Sequence, residues 1–124
     1  LENHVHLLGW VKEEDIPSIY EISDVYVHNS HFETFGFVIA EAMMHGLPII
    51  ATNTSGAAKD VIVHKQNGFL YDFQDNKALL EGIKYYIDKE ALNRSENKKI
   101  AIEKFEFDKM WENHIDLYRE ALAK

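Results

Sequence analysis

The pattern of apolar and polar positions divides the chain into two unlike parts. Up to about residue 72, short apolar runs alternate with amphipathic stretches. Val5-His6-Leu7-Leu8-Gly9, Val25-Tyr26-Val27-His28-Asn29, Pro48-Ile49-Ile50-Ala51-Thr52 and Gly68-Phe69-Leu70-Tyr71 read as strands, being rich in β-branched, aromatic and other apolar residues. Pro48 fits because it stands at a strand's first position, where a missing N–H is tolerated. A helix is expected from Asp15, with Pro17 in its first turn and Ile16, Ile19, Tyr20 and Ser23 turned inward. Another is expected from about Gly36 to His45, ended by Gly46. Apolar strands alternating with helices predict an α/β fold: a Rossmann-like parallel sheet, incomplete at about four strands, with helices on both faces.

From residue 73 onward the spacing is helical throughout. One helix takes Asp75 as its cap and is expected to bury Leu79, Leu80, Ile83 and Ile87. A second covers roughly 90–105. A third follows Asp108 and presents Phe107, Trp111, Ile115, Tyr118 and Leu122, an aromatic stripe best read as core packing.

Composition narrows the function. The 124 residues are the size of one domain, and 46% hydrophobic content is enough to build a core. No apolar run approaches the ~20 residues that span a bilayer. Thirteen basic against 21 acidic residues give a formal charge of -8, which argues against a nucleic-acid backbone as the main partner. The absence of cysteine excludes disulfides, thiolate metal sites and a cysteine nucleophile. It fits a cytoplasmic setting, or a peripheral place at the cytoplasmic membrane in a longer parent.

Candidate chemistry concentrates in Ser30 to Glu41. A strand ends at Asn29, a polar loop follows, and a helix begins near Gly36. Ligands of open α/β sheets collect at the carboxyl ends of strands. The first N–H groups of a helix lack internal partners and carry partial positive charge, and a glycine allows close approach, so a phosphate or diphosphate fits there. Glu33 and Glu41 frame the loop. Their carboxylates suit the vicinal hydroxyls of a sugar or ribose; equally, both suit a solvated surface.

The same stretch carries a resemblance. Glu33-Thr34-Phe35-Gly36-Phe37-Val38-Ile39-Ala40-Glu41 resembles the E-x7-E motif of family-4 glycosyltransferases. Ala42 to Thr52 is similar to that family's EAM-x-x-G-x-P-V-[IV]-A-[TS] continuation. Ser55-Gly56 resembles its glycine pair, and Asp60-Val61-Ile62 with Asn67-Gly68-Phe69-Leu70 its E-V-I and N-G-[FL]-L segments. Val5 to Val11 and Ser23 to Val27 match its upstream strands. The likeness covers most of residues 4–88. Asp60 stands in place of glutamate, Ser55 in place of the first glycine, which would leave that turn less open, and His45 in place of a small residue.

The resemblance implies part of the C-terminal, nucleotide-sugar-binding domain of a GT-B enzyme, residues 1–72 forming strand–helix units and 73–124 a helical region. It implies that Glu33, the residue assigned to catalysis, approaches the donor sugar. N–H groups of Phe35, Gly36, Phe37 and Val38 would lie near sugar and diphosphate, Glu41 would hold the ribose, and Gly9, Trp10 and Val11 would border the base. The implied reaction is retaining transfer of a sugar from a nucleoside diphosphate, with no cofactor and no metal. The expected partners are a nucleotide sugar and an N-terminal acceptor domain absent from this chain, so the chain alone is expected to be inactive. A non-catalytic nucleotide or nucleotide-sugar binding module is the alternative, and a nucleotide-sugar epimerase ranks third.

Four other features carry less. His4 and His6 share a strand face and His28 and His31 lie near a strand end, but a metal needs three or four converging ligands. Lys59 reads as a solvated charge, and so does the patch from Ser95 to Lys99. Of Tyr85 and Tyr86, one is expected to pack and the other to be exposed. If Val5–Gly9 is a strand without its neighbours, the sheet edge at Val25–Asn29 should either recruit another chain or take up Val5–Gly9 as a rearranged partner.

Overall fold

The computed structural model describes residues 3–87, 93–105, 115, 119 and 121–122. Three strands, β1 (Tyr26–His28), β2 (Ile49–Thr52) and β3 (Gly68–Tyr71), form one parallel sheet in the order β1-β2-β3. Tyr26 pairs with Ile49 and Ile49 with Gly68, so the strands start level; β2 and β3 run one residue past β1. Residues of β2 are buried on both faces, which is why Ile49-Ile50-Ala51 reads as a continuous apolar run rather than an alternation.

Five helices flank the sheet: α1 (Ile16–Ile22), α2 (Phe37–Met44), α3 (Gly56–Val61), α4 (Asn76–Ile87) and α5 (Arg94–Phe105). One core joins Tyr20, Ile39, Met43, Leu47, Ile49, Ala51, Ala58 and Ala101, contributed by α1, α2, α3, α5, β2 and the turn before β2. The other joins Ile50, Phe69 and Tyr71 to Tyr86 of α4. Each large apolar side chain buried in this way contributes about 1.5–3 kcal/mol. The two cores lie on opposite faces, so the parallel sheet covered on both sides is present.

α4 begins as its sequence requires. Asp75 Oδ1 accepts hydrogen bonds from the N–H groups of Lys77 at 3.1 Å and Ala78 at 2.9 Å. Its buried stripe differs from expectation. Gly82 and Tyr86 are buried, whereas Leu80 and Ile87 are 50% and 69% exposed. With Leu79, Gly82, Ile83 and Tyr86 facing the sheet, Leu80 and Ile87 sit roughly 90–110° round the helix. Tyr86 packs while Tyr85 is only half-buried, its hydroxyl donating to the Lys65 carbonyl at 2.8 Å.

The expected first strand does not form. Residues 5–9 have no strand partner, and Val5, Leu7 and Leu8 are 56%, 95% and 61% exposed. The rearranged pairing beside β1 is therefore not adopted. Strand propensity alone cannot hold an extended segment that lacks a hydrogen-bonded neighbour. α1 is preceded by a 3-10 turn at Glu13–Asp15, and Asp15 makes no side-chain cap bond. α3 was not expected from the sequence; six residues are too few to show a helical period. Within the Ser95 to Lys99 patch, Asn97 is buried and its amide donates to the Gly46 carbonyl at 3.3 Å.

Of the expected last helix, Ile115 is helical and half-buried and Leu122 is helical but 88% exposed, so Leu122 is not part of a core. Phe107, Trp111 and Tyr118 lie outside the described residues. Among the described residues no helix is long and apolar enough to cross a membrane.

Candidate functional site

The segment from Asn29 to Gly36 leaves the sheet at the carboxyl end of β1 and delivers the chain to α2. It is held along its length by the segment 52–57. The Thr52 hydroxyl donates to the Ser30 carbonyl at 2.6 Å, and Tyr71 Oη donates to Asn29 Oδ1 at 2.8 Å. Thr54 Oγ1 lies 3.1 Å from the same carbonyl and 3.0 Å from Thr52 Oγ1, its one proton serving either. Further along, the Gly56 N–H donates to the Glu33 carbonyl at 3.3 Å and the Ala57 N–H to the Phe35 carbonyl at 2.8 Å.

This stitching brings the starts of α2 and α3 together. Gly36 caps α2 with φ 91° and ψ 62°, a left-handed conformation that favours glycine. A Cβ there would also lie 3.0 Å from Ser55 Oγ and 3.1 Å from Glu33 Cγ. Gly56 is required for a different reason: a Cβ would stand 2.4 Å from the Thr34 carbonyl oxygen. Ser55 has ordinary extended backbone, φ -90°, and its buried hydroxyl lies 3.4 Å from the Phe35 carbonyl. It fills the space opposite Gly36, so the turn is closed there.

Glu33 is half-buried and its Oε1 accepts from the Phe35 N–H at 3.4 Å. The N–H groups of Phe37 and Val38 open α2, and these residues are 73% and 37% exposed. Phe35 turns inward, 4.7 Å from the Phe37 ring and 6.1 Å from Phe105. Glu41 is exposed one turn further on, on the face that carries Phe37 and about 6 Å along the axis from it. Of the expected donor-site residues, Phe37, Val38 and Glu41 are thus exposed on α2, Glu33 is half-buried in the loop before it, and Phe35 and Gly36 face inward.

Glu41 has a neighbour that the sequence reading placed only as core. Tyr20 Oη donates to Glu41 Oε2 at 3.4 Å. The Tyr20 ring stacks on His45 at 5.3 Å and meets Tyr26 edge-on at 6.0 Å. Burial, together with the Glu41 carboxylate, pushes the Tyr20 phenol up to about 12. Beside them is a recess of about 180 Å³ lined by Glu13, Ile16, Pro17, Tyr20, Glu41 and His45.

Gly9, Trp10 and Val11 lie apart from this group. Gly9 has φ 64° with open space around it, and Trp10 is 85% exposed. Trp10 and Val11 line a separate groove of about 560 Å³ with Leu8, Ile19 and Ile22. His4 and His6 are exposed, and His31 meets Phe73 edge-on at 4.7 Å. Among the described residues no three His, Asp or Glu side chains converge as metal ligands. Thr52 and Thr54, whose hydroxyls hold the loop at Ser30, were not singled out in the sequence. Their signal is a polar run placed directly after a buried strand, at the end where ligands of such sheets collect.

Comparison with known proteins matches residues 1–104 to the family model described as glycosyl transferases group 1. The chain is 33% identical over 125 residues to spore coat protein SA of Bacillus subtilis (strain 168), covering 96% of this chain and 33% of that protein. It is 33% identical over 110 residues to the capsular polysaccharide biosynthesis glycosyltransferase CapM of Staphylococcus aureus, covering 86% and 29%. The chain spans about a third of the length of such relatives. Among solved structures, the C-terminal domain of a glycosyl transferase group 1 family protein (LpcC) from Francisella tularensis superposes with TM-score 0.59 at 31% identity, over 76% of this chain and 46% of that one. Sucrose-phosphate synthase from Thermosynechococcus elongatus superposes with TM-score 0.77 at 24% identity, over 98% and 31%, a likeness of fold.

Proposed function

This chain belongs to the glycosyl transferases group 1 family, and from that premise we propose that it is the donor-binding part of a retaining glycosyltransferase using a nucleoside-diphosphate sugar. The observation that carries the proposal is the meeting of two helix starts at the carboxyl end of the sheet, with left-handed Gly36 between Glu33 and the exposed residues Phe37 and Val38 that open α2. Partial positive charge at the start of α2 favours the diphosphate. Residues 30–58 contain neither Lys nor Arg, so the backbone is the local source of that charge.

In this reading Glu41 accepts hydrogen bonds from the ribose hydroxyls and Glu33 from the transferred sugar. The two glutamates in this reading position the donor, while the N–H groups at the start of α2 stabilise the departing diphosphate, without a metal. Gly9 to Val11 border the base, which requires them to approach the recess beside Glu41. The setting is cytoplasmic, and the acceptor is bound outside this chain. Titration with UDP, GDP and ADP and their glucose or mannose conjugates tests the reading, with backbone N–H shifts as readout. Shifts centred on Phe35 to Val38 and Glu41 are expected. Absence of saturable shifts there with all probes would reject it.

A further inference from the structure

The β1–β2 ladder stops at the pair His28–Ala51, yet β2 continues to Thr52. The next β1-side carbonyl requiring a partner is that of Ser30, and no strand backbone reaches it. The Thr52 hydroxyl supplies the missing donor at 2.6 Å. Thr52 is 0% exposed and Ser30 half-buried, so the donor end of this bond is shielded from water. Three residues beyond Ser30 stands Glu33, and six beyond stands Gly36. The same loop is then clipped by Gly56 and Ala57, which donate to the carbonyls of Glu33 and Phe35.

We propose that Thr52 is a positioning residue for the donor site: its buried hydroxyl fixes where the loop leaves the sheet and so where Glu33 and the start of α2 stand. The inference rests on the donor-site reading above, but its local part does not depend on a ligand. The other donor within reach of the Ser30 carbonyl is the Thr54 hydroxyl at 3.1 Å, a longer bond than the 2.6 Å from Thr52. Without the Thr52 hydroxyl the half-buried Ser30 carbonyl keeps only the longer bond from Thr54, and the exit of the loop is held less firmly. The methyl group of Thr52 has a separate role in strand packing, so hydroxyl and shape can be tested separately.

The experiment uses the 124-residue chain with Thr52→Val, which keeps the shape and removes the hydroxyl, and Thr52→Ser, which keeps the hydroxyl. Hydrogen exchange of the Gly56 and Ala57 N–H groups is compared with that of Ile50 in the central strand. Thr52→Val is expected to lower their protection about tenfold while Ile50 keeps its own, and Thr52→Ser to stay near wild type. In parallel, titration with UDP-glucose, GDP-mannose and ADP-glucose is expected to show binding weakened about tenfold by Thr52→Val and restored by Thr52→Ser. Unchanged protection in Thr52→Val overturns the proposal, as does equal loss in Thr52→Ser, which would assign the effect to the methyl group. If the wild type binds none of the probes, the donor-site reading fails and the exchange measurement alone decides the positioning of the loop. If Thr52→Val does not fold, Thr52→Ala is read against Thr52→Ser, which differ by the hydroxyl alone: the serine variant is expected to keep the protection that the alanine variant loses, and equal protection in the two overturns the claim.

Discussion

Tyr20 and Glu41, 21 residues apart in the chain, meet through a hydroxyl–carboxylate hydrogen bond of 3.4 Å. The contact ties α1 to the outer face of α2 and presents the Glu41 carboxylate at the rim of the recess between them. Because the Tyr20 ring is also stacked on His45, the carboxylate is held from the side that faces the protein and remains free on the other.

Burial of Tyr20, with the Glu41 carboxylate beside it, gives stability a pH dependence at the alkaline end. The Tyr20 phenol has a pKa of about 12 in the folded chain against 10.0 when unfolded. The folded state therefore keeps a proton that the unfolded state has lost. The contribution is fully present below pH 10 and is lost as pH rises from 10 to 12. Tyr20→Phe should lose less stability over that window than wild type, measured by urea unfolding at steps within it. Tyr26 and Tyr71 shift in the same direction, so the difference between the two proteins isolates Tyr20. Parallel curves would reject the assignment.

Gly36 and Gly9 both have positive φ, but they should respond differently to a methyl group. At Gly36 a Cβ meets Ser55 Oγ, Glu33 Cγ and Ile39 Cδ1 at 3.0–3.2 Å, in addition to the backbone strain. At Gly9 a Cβ meets nothing within 4 Å. Gly36→Ala is expected to cost about 2–4 kcal/mol and Gly9→Ala about 1–2 kcal/mol. Chemical denaturation measures both, and equal costs would show that the neighbours of Gly36 yield freely.

The sheet was legible where strands are buried on both faces. Ile49-Ile50-Ala51 and Gly68-Phe69-Leu70-Tyr71 have no competing helical period, and both form within one residue of expectation. Val5–Gly9 shows the limit of such reading. Its pattern encodes a strand, but pairing is a tertiary property, and no neighbour is present among the described residues. The loop from Glu33 to Gly36 was legible because glycine and glutamate stand out in an apolar setting. Thr52 was not, since a threonine ending a strand has the same pattern whether or not its hydroxyl holds a loop. Leu80 was misplaced because Gly82, which lets α4 approach Phe69, gives no hydrophobic signal.

Asp75 is expected to stabilise α4 by capping alone. Its Oδ1 satisfies two of the four N–H groups that open the helix. Asp75→Ala should cost about 1 kcal/mol, and Asp75→Ser should recover most of it. Thermal or urea unfolding reads the difference. No loss in the alanine variant would mean that water serves these N–H groups as well as the carboxylate does.

Asn67 is 2% exposed and bridges the end of α3: its amide donates to the Val61 carbonyl and its carbonyl accepts from the Val63 N–H, each at 2.8 Å. Asn67→Leu keeps the volume but leaves two backbone groups unpaired, and Asn67→Asp keeps the acceptor alone. The leucine variant is expected to cost about 2–5 kcal/mol by the penalty for two orphaned groups. Chemical denaturation would show the leucine change to be the milder one if packing, rather than hydrogen bonding, set the requirement.

The proposed roles of Glu33 and Glu41 predict different losses with different probes. Glu41 is assigned to ribose, which is present in both a nucleoside diphosphate and its sugar conjugate. Glu33 is assigned to the transferred sugar, which only the conjugate carries. Glu41→Ala should therefore weaken both probes alike, by about 1.5–3 kcal/mol, the scale of a hydrogen bond to a charged group. Glu33 needs a gentler change, because its carboxylate also accepts from the Phe35 N–H at 3.4 Å. Glu33→Gln keeps an acceptor for that bond while removing the charge. It should leave the nucleoside diphosphate within about twofold of wild type and weaken the conjugate by about tenfold. The measurement is the ratio of the two dissociation constants in each variant. A ratio unchanged by Glu33→Gln would remove Glu33 from the sugar site, and a ratio shifted by Glu41→Ala would remove Glu41 from the ribose site.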